Sequence, residues 1–133
     1  MSANIRRISI ALLATVFALA GAMAGARGDT ADKWRMHTAG KSTSDGEIVL
    51  RLAELGGIVA EVTIPIPKYT DQKGIAQRIR EGLNDNLPGD RYKVEVDEGD
   101  DIIVRKRDDV KDFELSIVGN TADGTEVKVE RVD

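Results

Sequence analysis

The chain has 133 residues with 19 Lys and Arg against 23 Asp and Glu, one His, no Cys, and a net charge of −4. That mixed, acidic balance disfavours nucleic acid and anionic membrane surfaces as partners, because both are held by basic patches. The absence of Cys rules out a disulfide framework, a thiol nucleophile and a thiolate zinc site, so burial alone must hold the fold.

Residues 1–26 read as an export signal, with Arg6 and Arg7 as the positive start, Ile8 to Ala20 as the apolar stretch and Ala22-Met23-Ala24 or Ala24-Gly25-Ala26 as the cleavage site. The run Ile8 to Ala26 spans 19 residues, which at about 1.5 Å each could also cross a bilayer as an uncleaved anchor. Its second half, nearly all Ala and Gly, suits a signal peptidase better than lipid, and the expected address is periplasmic or secreted through the Sec route. The segment carries two cations and no acid, so the net charge of the remaining chain becomes −6.

Residues 27–46 carry Gly, Thr, Ser and mixed charges, and they read as a flexible lead-in to a small domain at 47–133. From Glu47 the pattern sharpens. Ile48, Leu50 and Leu52 alternate with Val49, Arg51 and Ala53; after Gly56-Gly57, Ile58, Ala60, Val62, Ile64 and Ile66 alternate with Val59, Glu61, Thr63 and Pro65. Two period-2 runs around a Gly pair predict a hairpin whose second strand ends or runs along an edge near Pro65 and Pro67.

A helix is predicted from about Asp71 to Leu87, with Thr70 or Asp71 as its N-cap and Pro88-Gly89 as its stop. Ile75, Ala76, Ile79, Leu83 and Leu87 share one stripe, and Lys73, Gln77, Arg80, Glu81 and Asn84 face away. Four more alternating runs follow, around Tyr92–Val96, Ile102–Val104, Phe113–Ile117 and Val127–Val129. The predicted class is α+β, one helix on a largely antiparallel sheet in the order β-β-α-β-β-β-β. One helix about 10 Å wide covers two or three strands spaced about 4.8 Å apart. The sheet must therefore curl around its helix, or the lead-in, a second copy or a partner must lie on it.

Ile75-Ala76-Gln77-Arg78-Ile79 on the helix, Leu83-Asn84 near its end, and the two strands around Gly99 form a sequence pattern over Ala60 to Ile117. It resembles the ββαββ modules of flagellin, hook-associated and phage tail structural proteins. The resemblance implies a structural or adhesive building block without catalysis. Flagellar subunits leave by their own export route, so the module shape alone carries over.

His37 lies in the expected lead-in, away from any nucleophile, and no nucleophile elbow, phosphate loop or dinucleotide fingerprint is present. The densest carboxylate group is Asp97, Glu98, Asp100 and Asp101 around Gly99, a candidate site for calcium or a cationic ligand or else a solvated hairpin turn. Arg105-Lys106-Arg107 is expected to serve cross-strand pairing or edge protection. Trp34 is expected to pin the lead-in onto the sheet. The sequence thus points to an exported, non-catalytic module without cofactors that contacts protein or itself, with a cation-responsive protein as the alternative. Membrane contact is expected only through an uncleaved N-terminal segment.

Overall fold

The structure, a computed structural model, describes residues 30–132; the expected export signal at 1–26 lies outside the described residues. The chain order is β1 (Lys33–Gly40), β2 (Gly46–Glu54), β3 (Val59–Ile66), α1 (Gln72–Asn86), β4 (Tyr92–Asp97), β5 (Asp101–Lys106), β6 (Phe113–Asn120) and β7 (Thr125–Arg131). The α+β class holds, with strands in two antiparallel sheets, β4-β5-β1-β7 and β3-β2-β6.

The expected flexible lead-in is the main correction. Residues 33–40 form β1, an interior strand paired with β5 on one side and β7 on the other, so the order gains a leading strand and the folded unit begins before residue 47. The physical reason is visible in the side chains. Trp34, Met36 and Thr38 point inward and are buried, while Lys33, Arg35 and His37 alternate with them and are half-buried. That is a strand's period of two, disguised because one of the three inward residues, Thr38, is polar.

The Gly56-Gly57 hairpin forms as expected, with Ile48 opposite Ile64, Leu50 opposite Val62 and Leu52 opposite Ala60. Asp71 caps α1 by accepting from the Gly74 N–H at 2.8 Å, and Ile75, Ala76, Ile79 and Leu83 form its buried stripe. Gly82 lies on the same helix against β3. A Cβ there would sit 3.0 Å from Ile64 Cγ1, so Gly lets the helix approach the strand closely.

The two sheets and α1 share one core, including Met36, Leu50, Ile64, Ile79, Val104 and Phe113. The expected uncovered inner face is absent among the described residues: one sheet faces the other, and α1 packs on β3, β4, β1 and β5. Two connections join the sheets on the other side. Ala31 and Phe113 exchange backbone hydrogen bonds of 2.9 Å in each direction, and the Trp34 indole N–H donates to the same Phe113 carbonyl at 2.8 Å. Trp34 therefore does pin its segment, as a buried part of β1.

Candidate functional site

The predicted acidic group is divided by the pleat of the β4–β5 hairpin. Asp97 and Asp101 are opposite one another on the outer face. Two like charges so placed repel. Arg35 of β1 resolves this, because its Nη1 donates to Asp97 Oδ2 at 3.0 Å and to Asp101 Oδ2 at 2.9 Å. The position that the sequence offers to a cation is taken by a guanidinium from the segment expected to be a tether.

Glu98 and Asp100 lie elsewhere. Glu98 sits in the left-handed region at φ 57° and lines a shallow depression of about 280 Å³ with Asp71, Gln72, Lys73, Gly99 and Asp100. The Asp100 carboxylate accepts from Gln72 Nε2 at 2.6 Å, and its carbonyl accepts from the Thr38 hydroxyl at 2.7 Å. Among the described residues no three His, Cys, Asp or Glu side chains come together as potential metal ligands.

The same outer face holds His37 between two carboxylates, with Nδ1 3.1 Å from Asp101 Oδ1 and Nε2 2.8 Å from Glu130 Oε2. Glu130 first, and Asp101 with it, hold the imidazole above its ordinary pKa against the opposing effect of desolvation. A ring engaged at both nitrogens is a cross-strand tie between β5, β1 and β7, not a free general base. The basic run is likewise absorbed: Arg105 pairs with Glu95 at 3.2 Å, Lys106 lies 3.7 Å from Asp112, and Arg107 donates to the Gly89 carbonyl at 2.8 Å. The cross-strand pairing expected of the run is present, and β5 is an interior strand.

A second ionic group, unforeseen from the residue pattern, lies inside the molecule. Glu54, at the end of β2, is buried, with its side chain 2% exposed. Arg91 Nε and Nη2 donate to its two oxygens at 3.0 and 2.7 Å, and the Tyr92 hydroxyl donates to Oε2. Arg91 chiefly holds the Glu54 carboxyl below its usual range, against the effect of burial. Burial first, and then the hydrogen bond to Glu54 with its charge, push the Tyr92 phenol above its ordinary value. Tyr92 also meets Phe113 edge to face at 5.2 Å between centroids. The group joins the end of β2 in one sheet to the start of β4 in the other. Its neighbour Gly57 has no room for a Cβ, which would lie 2.4 Å from Glu54 Oε1. The missed signal was Glu54 itself, an acid placed where the apolar alternation of β2 runs into the turn.

Beyond Glu54 the β2–β3 turn presents large apolar side chains to solvent. Leu55 is 58% exposed, Ile58 40% and Val59 56%. Val118 on β6 is also exposed. At the opposite end of the three-stranded sheet Tyr69 is 69% exposed, at φ 69°. Comparison with protein-family models, with curated proteins and with solved structures gives no match.

Proposed function

We propose that this chain is an exported, non-catalytic binding or assembly module that acts through protein–protein contact at the tip of the β2–β3 hairpin. The carrying observation is the exposure of Leu55, Ile58 and Val59 within one hairpin tip on a molecule whose sheets and helix already close over one core. Their burial is not needed to complete that core, and exposed aliphatic side chains gain from a partner that removes them from water. The non-catalytic reading is supported by the polar groups with the strongest electrostatic surroundings. His37 is engaged at both nitrogens and Glu54 accepts from Arg91 and Tyr92, so each is occupied by its own chain. The β2-β3-α1-β4-β5 order has the ββαββ shape of the structural modules that the sequence resembles, which agrees with a building-block role. Export rests on the N-terminal sequence pattern. No cofactor or nucleic acid is part of this reading. The cation-responsive alternative has less support, since Arg35 bridges Asp97 and Asp101.

Sedimentation and chemical cross-linking of the purified protein, alone and with extracts of the exported fraction, test the proposal. Leu55→Asp with Ile58→Asp is expected to abolish the associated species while leaving the melting transition within a few degrees. A wild-type protein that forms no complex under either condition, or a complex indifferent to both substitutions, overturns it.

A further inference from the structure

The opposite end of the three-stranded sheet carries a second surface built for contact. Tyr69 is 69% exposed and adopts φ 69°, a left-handed conformation that a side chain of this size rarely takes. The turn is held in that shape by buried Ser42. The Tyr69 N–H donates to the Ser42 carbonyl at 2.8 Å, the Thr70 N–H donates to Ser42 Oγ at 2.7 Å, and Ser42 Oγ donates to the Pro67 carbonyl at 2.6 Å. Lys68 Nζ lies 5.0 Å and Lys41 Nζ 5.9 Å from the Tyr69 ring centroid. Neither ammonium forms an ion pair among the described residues, and the Asp45 carboxylate alongside accepts from the Lys68 backbone N–H at 2.8 Å. An aromatic ring held outward on a clamped turn, flanked by two cations without an ion pair among the described residues, is preorganised for an anionic partner.

We infer that Tyr69, Lys41 and Lys68 form a docking surface for an acidic peptide segment of a partner protein, with carboxylates meeting the two ammoniums and the chain lying against the ring. This inference rests on the protein-contact reading and gives one partner surface a chemistry. Charge complementarity argues for this occupant: ammoniums 5.0 and 5.9 Å from one ring centroid offer two cations to the carboxylates that alternate side chains of an extended peptide present about 7 Å apart.

The test is an NMR titration of the full-length protein with hexaglutamate, hexaglutamine and an oligogalacturonate. Hexaglutamate is expected to shift the amides of Lys41, Ser42 and residues 68–70, and hexaglutamine to leave them unmoved. Raising salt from about 50 to about 300 mM should weaken the binding severalfold. Tyr69→Ala, and Lys41→Gln with Lys68→Gln, should each weaken it about fivefold or more. Tyr69→Gly separates a binding role from a structural one, since Gly tolerates the left-handed turn: it should retain or raise the melting temperature and still lose the binding. No shift with hexaglutamate, equal binding by the variants, or binding of the glycan alone overturns the inference. None of these results depends on Leu55 or Ile58, so its failure and that of the hairpin-tip contact are separately visible.

Discussion

The ionic group around Glu54 and the one around Arg35 differ in what surrounds them. Glu54, Arg91 and Tyr92 meet where the two sheets approach, with the Glu54 side chain almost wholly shielded from water. Arg35, His37, Asp97, Asp101 and Glu130 meet on the outer face of one sheet, where the side chains are only partly shielded and water reaches most of the group. Similar hydrogen bonds therefore carry different weights. Removing a partner from the shielded group leaves a buried polar group unsatisfied, whereas breaking an exposed pair returns its charges to solvent.

The contrast is broken most severely from within the shared core. Met36→Ala is expected to lower unfolding stability by about 2–5 kcal/mol in denaturant titration, because Met36 is fully buried in an interior strand. A tether would tolerate the change without effect. Glu54→Ala comes next, at about 2–4 kcal/mol, since it leaves the Tyr92 hydroxyl without its acceptor while Arg91, more than a third exposed, recovers water. Because the Glu54 pKa is lowered in the fold, its contribution is present above the ordinary carboxylate pKa of about 4.3 and is lost as pH falls through the depressed value. Acid titration of wild type against Glu54→Gln measures it.

On the outer face the effects shrink. Arg35→Ala should cost about 1 kcal/mol, from Asp97 and Asp101 left facing each other, and should cost less at high salt. It also sharpens the cation question: about 1 mM calcium should leave the wild-type melting temperature unchanged and raise that of Arg35→Ala. His37→Gln should have the smallest effect, below about 1 kcal/mol at low pH. The His37 pKa is raised in the fold, so its contribution is fully present below the unfolded value near 6.5 and vanishes as pH rises through the folded value. Comparing the two proteins' melting temperatures from pH 5 to pH 9 checks the sign.

Much of the fold was legible because period and punctuation agreed. Ile48 to Ile66 alternated around a Gly pair, and Ile75 to Leu87 kept helical spacing between Asp71 and Pro88; both appear with nearly the expected limits. The strand at 33–40 was hidden because its inward positions include Thr38 and its outward ones Arg35 and His37, leaving Trp34 and Met36 as the apolar signal. That omission concealed the site as well. Asp97 and Asp101 read as a cation site when the cation that neutralises them is 62 and 66 residues away in sequence. Glu54 was hidden differently, since a single acid at a strand end looks solvated until Arg91 and Tyr92 are brought to it by the fold. Leu55, Ile58 and Val59 were visible as residues, but their exposure depends on where the hairpin projects.

The hairpin-tip contact can be tested where the protein works. A photocross-linking residue placed at Ile58, and separately at Arg78 on the exposed face of α1 as a control, should give a covalent adduct of defined mass from position 58 and none from position 78. No adduct from position 58, or the same pattern from both positions, would contradict a module that acts through its hairpin tip.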